Sequence, residues 1–167
     1  MEIRLLTETD APAWWRLRKI ALDTDPYSFA ESPVEHEDRT LEQTREYFRS
    51  MNPANFIVGA FEEDELAGMA GFYREKHAKF QHKGRIWGVY VRRESRRQGI
   101  ARGMMDEIIG KARLVEGIEQ ITLTAAATQM PARQLYFSLG FRAYGVEPRS
   151  LKVGSEYIDD ELMVLFL

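Results

Sequence analysis

The stretch Val89-Tyr90-Val91-Arg92-Arg93-Glu94-Ser95-Arg96-Arg97-Gln98-Gly99-Ile100-Ala101-Arg102 reads as a strand that passes through a charged turn straight into a helix. The first N–H groups of a helix have no partner within it and carry partial positive charge, so such a junction binds phosphate. Gly99 and Ala101 keep the backbone open to close approach. Arg96, Arg97 and Arg102 crowd the same helix end, where their charge has the wrong sign for helix stability. A local rule broken without local gain points to a functional reason. A bound pyrophosphate would reconcile the two by meeting both amides and guanidiniums. Two common phosphate loops are excluded. No Gly-x-x-x-x-Gly-Lys-Ser/Thr is present. The run Gly99-Ile100-Ala101-Arg102-Gly103 is not a dinucleotide fingerprint, and Glu119 begins the following strand where an acidic ribose partner would end it. What remains is Arg96-x-x-Gly99-x-Ala101.

Downstream, Gly99 to Val115 carries Met104, Met105, Ile108 and Ala112 on one helical stripe, and Gly117 stops it. Ile118 to Ala125 reads as a strand, Pro131 to Leu139 as a short helix closed by Gly140, and Leu162 to Phe166 as a last apolar strand. Ser150 to Asp159 looks like a hairpin. Upstream, Phe56 to Phe61, Leu66 to Glu75 and Arg85 to Val91 form a run of strands joined by polar turns, which suggests antiparallel hairpins. Glu2 to Leu6 is a short strand. A helix follows from Asp10, with Pro12 in its first turn and Trp14, Leu17 and Ala21 facing inward. Ser32-Pro33-Val34-Glu35 and Thr40-Leu41-Glu42-Gln43 match the capping box and start two more helices. The sum is an α+β domain with a mixed sheet, expected as one domain over residues 1–167.

Composition narrows the function classes. Lys plus Arg is 23 against 26 Asp plus Glu, a net charge of −3, which opposes a chain built as a whole around nucleic-acid phosphates. The absence of cysteine removes disulfides, thiolate metal sites and a cysteine nucleophile. No apolar run spans a bilayer, and Met1-Glu2-Ile3-Arg4 does not read as a signal peptide, so a cytoplasmic protein is expected.

Arg96-x-x-Gly99-x-Ala101 resembles the coenzyme A signature of the GNAT N-acetyltransferase superfamily. Ala132, Leu135-Tyr136 and Leu139-Gly140-Phe141 look like that family's A-x-x-L-Y-x-x-x-G-F segment, in the right order. The resemblance implies a GNAT-like fold of about seven strands flanked by about four helices. It implies acetyl-CoA as cofactor, no metal, and an amine acceptor that is a small molecule or a protein. Neither nucleic acid nor membrane is expected as a partner; a homodimer is compatible with it. By the resemblance, Val89, Tyr90 and Val91 would pair with the pantetheine arm, and an amide near Val91 would polarise the thioester carbonyl. Arg96, Arg97, Gln98, Gly99, Ile100, Ala101 and Arg102 would hold the phosphates. Tyr136 would protonate the departing thiolate. Gln129 stands where the family often has Asn.

The strand from Arg85 to Val91 carries no carboxylate, which some relatives use as general base. The acceptor amine must lose a proton, so Glu75, His77, Glu31, Glu35 or a water chain are the candidates, with Glu75 the first choice. By the resemblance, the acidic region from Phe29 to Asp38, with Phe29 and Glu31, would border the acceptor, and its charge would attract a cationic amine. Two other readings compete: a coenzyme A-binding regulatory domain without turnover, and a nucleic-acid domain using Arg92, Arg93, Arg96 and Arg97.

Overall fold

The computed structural model describes all of residues 1–167. One mixed sheet of seven strands runs in the order β1-β2-β3-β4-β5-β7-β6. β1 (Glu2–Leu5), β2 (Asn55–Glu62), β3 (Glu65–Arg74) and β4 (Lys83–Val91) are antiparallel neighbours. β5 (Gln120–Ala126) is parallel to β4 and antiparallel to β7 (Glu156–Phe166), which β6 (Arg142–Val153) flanks at the edge. The helices are α1 (Ala11–Thr24), α2 (Pro33–Glu37), α3 (Leu41–Arg49), α4 (Ile100–Ala112) and α5 (Met130–Ser138). The architecture agrees with the α+β expectation: seven strands, with four substantial helices and the short α2. No helix is long and apolar enough to cross a membrane.

Local chemistry explains most boundaries. Both capping boxes form: Ser32 Oγ accepts from the Glu35 amide at 3.3 Å, and Thr40 Oγ1 from the Gln43 amide at 3.2 Å. Glu63 and Asp64, at φ of +46° and +69°, make the two-residue turn between β2 and β3. α1 and α3 lay Trp14, Leu17, Ala21 and Phe48 on one sheet face against Ile57 and Met69. α4 and α5 cover the other face, with Met104, Met105, Ile108 and Tyr136 against Phe72 and Ile121. The sheet is therefore sandwiched between two helical layers, each with its own buried cluster.

The consequential irregularity lies at the centre. β4 and β5 pair only at Lys83↔Gln120, Gly84↔Ile121 and Arg85↔Thr122. Beyond these, β4 stays with β3 and β5 stays with β7, so the strands part. β4 also bulges. Met69 faces Tyr90 and Gly71 faces Trp87, so two steps on β3 meet three on β4. Gly88, at φ of +65°, sits in that stretch and takes a conformation that L side chains resist.

Gly84 lies in the short paired segment, and a Cβ there would stand 2.3 Å from the buried Phe72 ring. Gly84→Ala should overpack the core and cost about 1–3 kcal/mol. For a domain of this size that lowers Tm by roughly 2–4 °C per kcal/mol, measurable by thermal unfolding. An unchanged Tm would contradict this packing.

Candidate active site

The parting of β4 and β5 opens a cavity of about 630 Å³. One wall is β4 from Ile86 to Val91; the other is β5 from Leu123 to Ala126, backed by Ala132, Leu135 and Tyr136 of α5. The start of α4 closes one end with Arg96, Arg97 and Gly99 to Arg102, and Asp25, Ser28 and Phe29 lie against it. Parallel strands that separate in mid-sheet leave backbone groups facing the gap, where an extended ligand can pair with them. Val89, Tyr90, Val91, Gly99, Ile100, Ala101, Gln129 and Tyr136 all line this one cavity. Gln98 does not; it is exposed on the turn.

At the α4 end the backbone is bare. The first intrahelical bond is from the Gly103 amide to the Gly99 carbonyl, at 3.0 Å, and no backbone carbonyl accepts from the amides of Arg97 to Arg102. Gly99, the residue before the helix, has φ of +82° and nothing within 4 Å of a Cβ position. It offers no side chain to cap the helix. These amides and the helix dipole together make an anion site.

The arginines divide. Arg96 Nε donates to the Val91 carbonyl at 3.0 Å, and its Nη2 meets Asp25 at 2.6 Å. Arg93 reaches the Thr24 carbonyl and Asp25, Arg92 pairs with Glu65, and Arg102 donates to Ser138 of α5. Their apparent conflict with the helix dipole is thus largely answered by neighbours: they fasten the turn to α1, β3 and α5. Arg97 is different. It lines the cavity, its guanidinium has no protein partner, and its φ is +65°. A non-glycine residue held left-handed costs roughly 1–2 kcal/mol, and such strain is commonly stored where a ligand is bound.

Tyr136 also lines this cavity, buried on α5 and packed on Phe141. Burial alone pushes its hydroxyl up to about 12, so it keeps its proton at neutral pH. Gln129 is the residue before α5 and reaches the same cavity.

The expected acceptor and base residues fall in three places. Phe29 is buried against Tyr90, lines the cavity and lies under the Arg18 guanidinium at 4.5 Å. Glu31 is not a free surface carboxylate, because Arg18 Nε holds its Oε2 at 2.9 Å. Glu35 is committed to its capping box, and the Ser32 amide and hydroxyl hold its carboxyl below the usual range. Glu75 lies elsewhere: its amide bonds the Lys83 carbonyl at 3.0 Å, at the closed end of β4 where β5 is still paired. His77 is exposed on the same hairpin turn. Neither lines the cavity. The register places them there, one strand end away from the gap.

Sequence reasoning missed Trp87 and Arg18. Trp87 walls both the cleft and a second cavity of about 560 Å³, lined with Glu35, Asp38, Arg39, Gln43 and Tyr47. Arg18 carried a readable signal: it falls four residues after Trp14, on the buried stripe of α1.

A family model described as the acetyltransferase (GNAT) family matches residues 14–141. Among solved structures, an acetyltransferase of the GNAT family from Streptococcus pneumoniae is 19% identical, with a TM-score of 0.88 over 99% of each chain. A ribosomal-protein-alanine N-acetyltransferase from Brucella melitensis is 23% identical, with a TM-score of 0.84 over 100% of each chain. A GNAT superfamily phosphinothricin acetyltransferase from Sinorhizobium meliloti, solved in complex with acetyl-CoA, is 16% identical, with a TM-score of 0.84 over 99% of this chain and 88% of that one. At these identities the likeness is one of fold. No curated protein matches the sequence.

Arg97 separates backbone strain from side-chain charge. Arg97→Gly should be more stable than Arg97→Ala by about 1 kcal/mol, because only glycine relaxes at this φ. Both variants should weaken coenzyme A binding equally, by about two- to fivefold, the usual worth of one exposed charge. Thermal unfolding and calorimetric titration of the two variants check this; alanine matching glycine in stability would remove the strain.

Proposed function

The chain belongs to the GNAT acetyltransferase family, and on that premise we propose that it is an N-acetyltransferase acting on a primary amine, with Tyr136 as general acid. Acetyl-CoA is the acetyl donor of the family, and the residues present fit it. The bare amides from Arg97 to Arg102, with the open backbone at Gly99 and the free Arg97, suit a pyrophosphate. The parted edge of β4 from Gly88 to Val91 suits an amide-bearing arm that adds as a strand. Bound acetyl-CoA supplies a thioester-activated acetyl group.

The chain's own groups then have distinct tasks. Amides of the Gly88–Val91 stretch polarise the acetyl carbonyl; the bulge moves this task from the neighbourhood of Val91 toward Gly88. Tyr136 keeps its proton until the thiolate departs and then gives it up to sulfur. Attack by the amine is direct, since the chain has no cysteine and no activated nucleophile lines the cleft. No carboxylate stands on β4 from Arg85 to Val91. The acceptor ammonium therefore loses its proton to water at the cleft beside Trp87, where Glu35 and Asp38 favour a cationic guest.

The observation that carries this reading is that one cavity joins the bare start of α4 to a buried, protonated tyrosine. The test is thiol release from acetyl-CoA across a panel of amines; a protein without cysteine adds no thiol background. Wild type should turn over with at least one amine. Tyr136→Phe should lower kcat by about 10²-fold or more, with coenzyme A affinity unchanged. Unchanged kcat, or equal loss of kcat and affinity, would remove the role of Tyr136. Binding without turnover by any amine would favour a coenzyme A-binding domain that performs no transfer.

A further inference from the structure

Five buried side-chain polar atoms in the whole chain have no hydrogen-bond partner, and Arg18 Nη1, Glu31 Oε1, His36 Nδ1 and Trp87 Nε1 are four of them. Buried polar groups are nearly always satisfied, so such a concentration asks for a reason. Arg18 and Trp87 both reach the bulge of β4. Arg18 is 6% exposed. Its Nε is fixed by Glu31 Oε2 at 2.9 Å, and its guanidinium carbon lies over the Phe29 ring, 4.5 Å from the centroid. Its free Nη1 is 3.4 Å from where a Cβ on Gly88 would stand. Gly88 is required by its positive φ, and the guanidinium stands in van der Waals contact with the position a Cβ there would take. Phe29 and Gly88 both line the cleft, and Arg18 stands behind them.

The charge balance sharpens the point. Glu31 is the carboxylate partner of Arg18, but Glu31 Oε1 also lies 3.5 Å from Arg39 and 3.7 Å from His36. One carboxylate therefore answers more than one cation. Burial favours the uncharged form of Arg18, and only the Glu31 contact opposes that. An arginine stays charged regardless. The bulge is thus backed by a desolvated positive charge with an unused donor. Such a charge is worth most in a low-dielectric site, opposite a place where negative charge develops.

We propose that Arg18 is a positioning residue for acyl transfer: it holds Phe29 and the Gly88 bulge in place, and through them it charges the carbonyl-binding end of the cleft positively. The inference rests on the proposed acetyl transfer. Arg18 does not touch the acetyl group; it makes the amides of the bulge a stronger donor set than backbone alone. Glu31 serves the reaction by orienting Arg18 and does not bind the acceptor.

The test compares wild type with Arg18→Lys and with the double variant Arg18→Met/Glu31→Gln, which removes the pair without leaving an unpaired buried carboxylate. The probe is acetyl-CoA labelled with ¹³C at the thioester carbonyl, observed by isotope-edited infrared difference spectroscopy. In wild type the bound carbonyl stretch should move to lower wavenumber than in free acetyl-CoA. In the double variant it should return most of the way to the free value, with coenzyme A affinity within about twofold and kcat down about tenfold or more. Arg18→Lys, which keeps the charge but not the guanidinium contact with Phe29, should fall between the two. A folded double variant with the wild-type carbonyl frequency and kcat would overturn the role of Arg18. Wild type that binds acetyl-CoA without any carbonyl shift would overturn it too. Failure of wild type to bind acetyl-CoA at all would sink the acetyl-transfer reading, and this inference with it.

Discussion

Everything functional in this fold depends on the parting of β4 from β5 after three shared register positions. A sheet gains by keeping its ladder intact, and an interrupted ladder strands backbone donors and acceptors in the interior. Here β5 stays paired with β7 along its length and β4 with β3 on both sides of the bulge, so the sheet survives the break. The cost falls on the bulge and on the facing edges, and those edges form the walls of the cleft. The bulge at Gly88 and the helix start at Gly99 sit at two ends of the same interruption. One backbone feature thus creates both the polarising end and the anion-binding end.

Holding such an opening requires ties across it. Arg96 joins the end of β4 to Asp25 beyond α1, and Arg102 joins α4 to α5. Arg133 grips Glu161 of β7 through two bonds, at 2.8 and 2.9 Å, which fixes the helix carrying Tyr136. Ser95 is bonded to Glu62, and Arg92 to Glu65, so the turn before α4 is anchored to the β2–β3 hairpin. The arginine-rich turn is a clamp as much as an anion site. Arg97 alone is left without a protein partner among the arginines of the Arg92–Arg102 run, and it alone of them is held left-handed.

Much of this was readable from the chain because its causes are local. The strand–turn–helix junction at Val89 to Arg102 and the capping boxes at Ser32 and Thr40 are each fixed by residues a few positions apart. Tyr136 was singled out by the resemblance of Ala132 to Phe141 to a family segment, and it lines the cleft. What was not readable is set by distant partners. Asp25 meets Arg96 across 71 positions, and no local pattern announces it. The bulge at Gly88 follows from register against β3, which single-strand alternation does not reveal. Glu75 was a candidate base because the strand from Arg85 to Val91 carries no carboxylate, but register puts it at the closed end of β4. Arg18 was the clearest missed clue, a charge on the buried stripe of α1.

The central claim is that the gap between β4 and β5 is the acetyl-CoA site, with its phosphates at the start of α4. The most direct test is a ¹⁵N–¹H NMR titration of the assigned protein with coenzyme A. The account predicts that perturbed amides concentrate at Arg97 to Arg102, Gly88 to Val91 and Leu123 to Ala126, with those of Arg97 to Arg102 gaining hydrogen-exchange protection. Perturbations confined to other surfaces, or none at millimolar coenzyme A, would contradict it.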